Sequence, residues 1–200
     1  MKKLLSSVVL GASVLALAAC GEDESTLKVG ASNTPHAVIL EQVKPILEEQ
    51  GITLEIEPYQ DYILPNQDLE SGDLDANYFQ HIPYFEAQKT EFNYDFANAG
   101  GIHIEPIGIY SKKYASLEEL PEGATILLSN SVADHGRMLS LLEAQGLIKL
   151  TDGIDKTTAE LKDIVENPKN FVFDHNTAAE LLFQMYDNEE GDAVLINSNF

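Results

Sequence analysis

Between Leu27 and Ile56 the hydrophobic spacing changes twice, and that change restricts the fold more than any other feature of the chain. Leu27-Lys28-Val29-Gly30-Ala31 reads as a short strand. Ser32-Asn33-Thr34-Pro35 then supplies cap residues with a proline near the first helical turn. Val38, Ile39, Val43, Ile46 and Leu47 recur at helical spacing until Gly51 stops the run. Ile52, Leu54 and Ile56 alternate as a second strand. A strand, a helix and a strand within about thirty residues imply a parallel pair joined by a right-handed crossover.

The same logic repeats downstream. Residues 65–69 read as a short helix ending near Gly72, residues 73–79 as a strand, and Pro83 opens another helix. Residues 100–110 read as an extended segment crossing to a second unit. There, residues 124–128 form a strand ending in Ser129-Asn130, as the first strand ends in Ser32-Asn33. A helix with Met138, Leu139, Leu141 and Leu142 stops at Gly146. Residues 170–173 read as a strand, 177–186 as a helix and 192–197 as a strand. Two α/β units of this kind present strand ends and helix N-termini. Ligands of open α/β sheets bind at such carboxyl-end crevices, and helix N-termini favour anionic groups.

The N-terminus sets the compartment. Lys2 and Lys3 precede a short apolar stretch over 4–17, which fits a signal peptide better than a membrane span. Leu17-Ala18-Ala19-Cys20-Gly21 follows. Small residues ahead of the chain's single cysteine predict cleavage after Ala19 and lipidation of Cys20, so no internal disulfide can form. Two acyl chains make such an anchor stable. Residues 20–26 are then a polar tether. Removing 19 residues leaves 181, and losing Lys2 and Lys3 takes the formal charge from −21 to −23. That excess argues against nucleic acid and anionic headgroups as partners.

Neither catalysis nor a cofactor is expected. The chain has no Gly-x-Ser-x-Gly elbow, no P-loop and no His-Glu-x-x-His helix, and its one thiol is taken by lipid. His36, His81, His103, His135 and His175 show no metal-pair spacing on one helix. We therefore assign no metal ligands, although a receptor using His81, His103 or His135 for zinc or manganese stays open as an alternative, as does a surface adhesin or interaction lipoprotein.

Two features point instead to a small organic ligand. Asn77-Tyr78-Phe79-Gln80-His81-Ile82-Pro83-Tyr84 packs three aromatics, a histidine and two amides into a strand-to-helix junction. Its rings could build an apolar slot and His81 could bond a carboxylate or carbonyl; each ring alone is equally compatible with a core position. Arg137 is the chain's only arginine and falls early in a helix. Its planar fork suits a carboxylate, although a surface ion pair would use it too. Asn197 and Asn199 close the last strand and offer amides to a ligand or to a turn.

The sequence resembles the NlpA/MetQ family, the methionine-binding lipoproteins of ABC importers. The matching stretches are Asp61-Tyr62-Ile63-Leu64-Pro65-Asn66-Gln67, Gly72-Asp73-Leu74-Asp75-Ala76-Asn77-Tyr78-Phe79-Gln80-His81, His103-Ile104-Glu105-Pro106-Ile107-Gly108 and Val194-Leu195-Ile196-Asn197-Ser198-Asn199-Phe200, with others between. The resemblance implies an α/β, two-lobed, periplasmic-binding-protein-like (type II) fold. It places lobe 1 at 27–109 and lobe 2 at 110–200. Tyr62, Phe79, His81 and Tyr84 would line the pocket, Arg137 would hold a carboxylate, and Asn197, with Asn199 and Asp134, would meet the amino-acid backbone. Family members usually continue for several tens of residues back to lobe 1, so a truncated C-terminus is expected. Two departures stand out: Asp134 where members carry Asn, and Thr177-Ala178-Ala179-Glu180-Leu181 where they read Glu-Ala-Ala-Gln-Leu. The implied protein is held on the extracytoplasmic side of a membrane. It binds an amino acid, methionine or a small methionine-containing peptide, and serves an ABC permease with its ATPase subunit.

Overall fold

The computed structural model describes residues 25–200. The signal segment 1–19, the Cys20 lipidation site and the tether up to residue 24 lie outside the described residues.

The opening strand-helix-strand pattern is realised as β1 (Thr26–Ser32), α1 (Val38–Glu48) and β2 (Thr53–Tyr59), with β1 parallel to β2 and Val29 opposite Ile56. β3 (Ala76–Tyr78) pairs on the other side of β1, also in parallel, giving the order β2-β1-β3. Between them runs α2 (Leu64–Ser71). Gly72 ends it in the left-handed region at φ 83°, a conformation that costs glycine little, so its N–H can turn back to the helix carbonyls. α3 (Ile82–Phe92) follows β3 directly. Regular helix begins only at Val38: Pro35 falls in a preceding turn over Asn33–Ala37, and the Ser32 side chain makes no cap bond.

The second sheet has the order β4-β9-β5-β8, from β4 (Ile107–Tyr110), β5 (Thr125–Ser129), β8 (Val172–Thr177) and β9 (Ala193–Asn197). β5 runs parallel to both β8 and β9, while β4 is antiparallel to β9. The expected boundary between residues 109 and 110 falls inside β4. A small antiparallel pair, β6 (Lys149–Leu150) and β7 (Ile164–Glu166), and the helices α4 (Val132–Ala144) and α5 (Leu182–Asp187) complete this lobe.

The two lobes are packed unequally. Ile126, Leu128 and Leu195 of the second sheet meet Met138, Leu139 and Leu142 of α4, all essentially inaccessible. Each such side chain contributes roughly 1.5–3 kcal/mol relative to exposure. In the first lobe Ala31, Leu54 and Leu74 are buried, yet no residue of α1 is, and Val38 and Ile46 are each 56% exposed.

Two elements differ from expectation. The helix predicted over 177–186 begins two residues late, as a 3-10 turn over Ala179–Leu181 that runs into α5, because Thr177 continues β8: it sits in register with Ser129 and its carbonyl accepts the Asn130 N–H at 2.8 Å. Of the extended stretch 100–110 only Ile107–Tyr110 is strand. No helix among the described residues is long and apolar enough to cross a membrane.

Candidate ligand-binding site

Two pairs of parallel strands end toward the same crevice, β1 at Ser32 and β3 at Tyr78 in one lobe, β5 at Ser129 and β9 at Asn197 in the other. The chain leaving each end delivers the polar side chains of the site, which is where open α/β sheets place ligands.

On the first lobe, Asp61 Oδ1 accepts the N–H groups of Ile63 and Leu64, both at 2.8 Å, and this turn fixes Tyr62 just before α2. β3 then hands over to α3 with His81 at the N-cap and Tyr84 in the first turn. The two amides of this junction face away from the crevice. Asn77 Nδ2 donates to Asn66 Oδ1 at 2.9 Å, and Gln80 Nε2 donates to the same oxygen at 3.0 Å. Asn66 has no exposed surface. This knot ties α2 to β3, while Phe79 is buried against Tyr62 and Tyr84 of its own lobe and His81 alone of these reaches the other lobe.

On the second lobe, α4 opens after β5 and carries Asp134 and Arg137 one turn apart. Asp134 is buried, whereas the Arg137 side chain keeps 30% of its surface. Arg137 Nη2 donates to Asp134 Oδ1 at 2.9 Å and to Asn197 Oδ1 at 2.6 Å. Asn197 Nδ2 donates to Asp134 Oδ2 at 3.3 Å and to Tyr62 Oη at 3.2 Å. Tyr62 Oη donates onward to Asn199 Oδ1 at 3.0 Å, and Tyr84 Oη donates to the Tyr62 carbonyl at 2.6 Å. His81 Nε2 lies 3.2 Å from the Ala133 carbonyl and 3.5 Å from Asp134 Oδ1. A carbonyl can only accept, so Nε2 carries the proton.

The eight residues singled out by the sequence, Tyr62, Phe79, His81, Tyr84, Asp134, Arg137, Asn197 and Asn199, thus meet in one network across the crevice. Phe79 joins through its ring, with centroids 6.2 Å from Tyr62 and 6.1 Å from Tyr84. Phe200 lies tilted against Tyr62, with ring centroids 5.6 Å apart, and is not in the expected set. Neither was Glu105, whose carbonyl receives Arg137 Nη1 at 3.5 Å; a main-chain contact leaves no mark in residue type.

The electrostatics are those of one compensated ion pair. Burial drives the Tyr62 and Tyr84 hydroxyls well above the ordinary phenol range, with the Asp134 charge next for Tyr62 and the Asp61 charge for Tyr84. Burial lowers His81 below its usual value, the Asp134 carboxylate opposing it. One donor is left over: Arg137 Nε is buried with no hydrogen-bond partner. The site therefore pairs a cation that has an unused donor with an anion that it could release, beside a wall of three rings.

The histidines weighed for a metal do not meet one another. His81 sits at Asp134, and His135 donates to the Ser129 carbonyl at 2.8 Å with His175 against its ring. His103 lies instead with His36 and Glu105. Burial, and then the nearby His103, lower His36 to about 4.

Residues 27–200 match the family model described as NlpA lipoprotein. A methionine-binding lipoprotein, MetQ of Bacillus subtilis, is 47% identical, the match covering all of this chain and 75% of that one. Among solved structures, a pheromone cOB1 precursor/lipoprotein of the YaeC family from Enterococcus faecalis superposes with a TM-score of 0.86 at 58% identity, over 88% of this chain and 73% of that one. A nutrient binding protein from Burkholderia cenocepacia, solved bound to methionine, superposes with a TM-score of 0.79 at 39% identity, over 86% and 72%.

Proposed function

The chain belongs to the NlpA lipoprotein family, and from that premise and the geometry of the crevice we propose that it is the amino-acid-binding component of an ABC importer, with methionine or a small methionine-containing peptide as its ligand. Cys20, lipidated after removal of 1–19, holds it on the extracytoplasmic face of the membrane, where it passes the ligand to a permease driven by an ATPase subunit.

The observation that carries this reading is the Asp134–Arg137 pair with its leftover donor. A zwitterionic ligand can divide that pair without leaving a bare charge. Its carboxylate takes Arg137, using the Nε–H that has no partner. Its ammonium takes Asp134, which otherwise accepts from Arg137. Asn197 touches both partners through its two amide ends and can follow either. Exchanging one ion pair for two keeps every buried charge compensated, which is the condition for such a site to gain by binding. The rings of Tyr62, Phe79 and Tyr84 suit a flexible thioether, since sulfur–aromatic contacts add about 0.3–1.5 kcal/mol each.

This function has no use for an activated nucleophile, and the relatives are named for binding rather than for a reaction. The test is calorimetry of the purified chain with L-methionine, D-methionine and methionyl peptides. One equivalent bound with a heat lost in Arg137→Ala is expected; no heat with any of the three ends the methionine reading.

A further inference from the structure

Two segments far apart in sequence converge beside β1, on side chains that the amino-acid site does not use. His36 comes from the turn that follows β1. His103 and Glu105 come from the irregular stretch that leads into β4. We propose that His36, His103 and Glu105 are the protein ligands of a divalent transition-metal site of the zinc class.

The distances fit. His103 Nε2 lies 3.3 Å from Glu105 Oε1 and His36 Nδ1 lies 3.8 Å from the same oxygen. One ligand atom from each of the three residues lies within 4.8 Å of the other two. Two ligand atoms about 2.0–2.1 Å from one tetrahedral zinc ion stand about 3.3–3.5 Å apart. The His103–Glu105 spacing is that of neighbouring ligands of one ion, whereas the His36–Glu105 pair stands wider, too long for a hydrogen bond, and would draw in on an ion.

The hydrogen bonding gives the second, independent observation. His36 is 4% exposed, and both its Nδ1 and Glu105 Oε1 are buried with no hydrogen-bond partner. The 3.3 Å approach of His103 to that oxygen does not satisfy it. Buried polar atoms without partners are uncommon in folded proteins and call for an explanation such as an ion. Here two of them, contributed by different segments, face one another. A cation bound by both would satisfy them together.

The surroundings supply the remaining parts. Tyr78 Oη lies 2.5 Å from His103 Nδ1. With the proton on Nδ1, the tyrosine fixes the ring and leaves the Nε2 lone pair facing Glu105, the outer contact that metal-binding histidines commonly have. The His103 side chain keeps 26% of its surface, which gives an ion a route in. An imidazole–imidazole–carboxylate set suits zinc and its neighbours and not calcium or magnesium, which take oxygen ligands.

The site would also have a mechanical role. His36 belongs to lobe 1, while Glu105 stands just before β4 of lobe 2 and offers its carbonyl to Arg137. An ion held by both would pin the connecting segment to the end of β1, next to the crevice but apart from the ligand's own contacts.

The experiment is titration of the chelator-stripped chain with zinc chloride, followed by calorimetry, with cobalt chloride as a spectroscopic probe. One zinc per chain is expected, with cobalt giving the visible absorption of a low-coordinate site. His103→Ala and Glu105→Gln should each weaken binding at least tenfold, and Tyr78→Phe roughly tenfold, while His175→Ala should leave it unchanged. Circular dichroism of each variant confirms that it folds. Absence of zinc binding, or equal affinity in folded His103→Ala and Glu105→Gln, overturns the assignment; the latter would place the ion on the acidic surface. Methionine binding is scored separately, so either result leaves the amino-acid reading to its own test.

Discussion

Asp134 and Arg137 stand one turn apart on α4 and are joined at 2.9 Å, the acid buried and the base partly open to solvent. The pair sets the terms on which any ligand enters, because a ligand must replace for each residue what it takes away.

Arg137→Ala removes the only guanidinium and leaves Asp134 with Asn197, Ser129 and His81 as neighbours. We expect a loss of about 2–5 kcal/mol in ligand binding, at least 30-fold in Kd, and a stability loss of about 2 kcal/mol from the stranded carboxylate. Calorimetry reads the first and thermal melting without ligand the second. Unchanged affinity would remove Arg137 from the site.

Asp134→Asn separates the two ends of the ligand. It frees Arg137 from its internal partner while removing the acceptor proposed for the ammonium. The ratio of affinities for methionine and N-acetylmethionine should therefore shift toward the acetylated compound, by about 1–3 kcal/mol. A ratio equal to that of the parent chain would show that Asp134 does not meet the ammonium.

His81 predicts a pH dependence. Its folded pKa lies below the ordinary 6.5 because of burial, the Asp134 charge only partly opposing this. As pH falls through about 6.5, the unfolded chain takes up the proton before the folded chain does. Stability is therefore greatest above that pH and declines on acidification. The melting temperature of His81→Gln should fall less steeply between about pH 7 and about pH 5 than that of the parent. Parallel curves would mean that His81 titrates alike in both states.

Gly136 lies between the two site residues at a close backbone approach. A Cβ there would stand 2.5 Å from the carbonyl oxygens of Lys156 and Thr157. Main chain cannot rotate aside as a side chain can, so Gly136→Ala should cost about 1–3 kcal/mol and lower the melting temperature by about 2–4 °C for each kcal/mol. It should weaken ligand binding as well, by shifting α4 and the two residues it carries.

How much of this could be read beforehand depended on distance along the chain. The 77–84 junction is legible because a strand ending in a helix places its residues by local rules: His81 reaches Asp134, and Phe79 and Tyr84 pack with Tyr62. The inward turn of Asn77 and Gln80 was not, because it depends on Asn66 of another element. The helix expected over 177–186 starts two residues late because at Thr177 its periodicity competes with pairing to β5, a tertiary effect. His103 was grouped with His81 and His135 on residue type alone. Its actual neighbours, His36 and Tyr78, lie 67 and 25 residues away, and no short-range pattern links them.

The unequal packing of the lobes has a consequence for how the molecule opens. Amide protons of β5 and β9, under the tight cluster around Leu128 and Leu195, should exchange only with global unfolding. Those of α1, which buries none of its residues, should exchange through smaller, cheaper fluctuations. A small molecule gripped by both lobes would then slow exchange most in the weaker one. Occupancy could be followed from protection along α1, a helix that contributes no side chain to the crevice network.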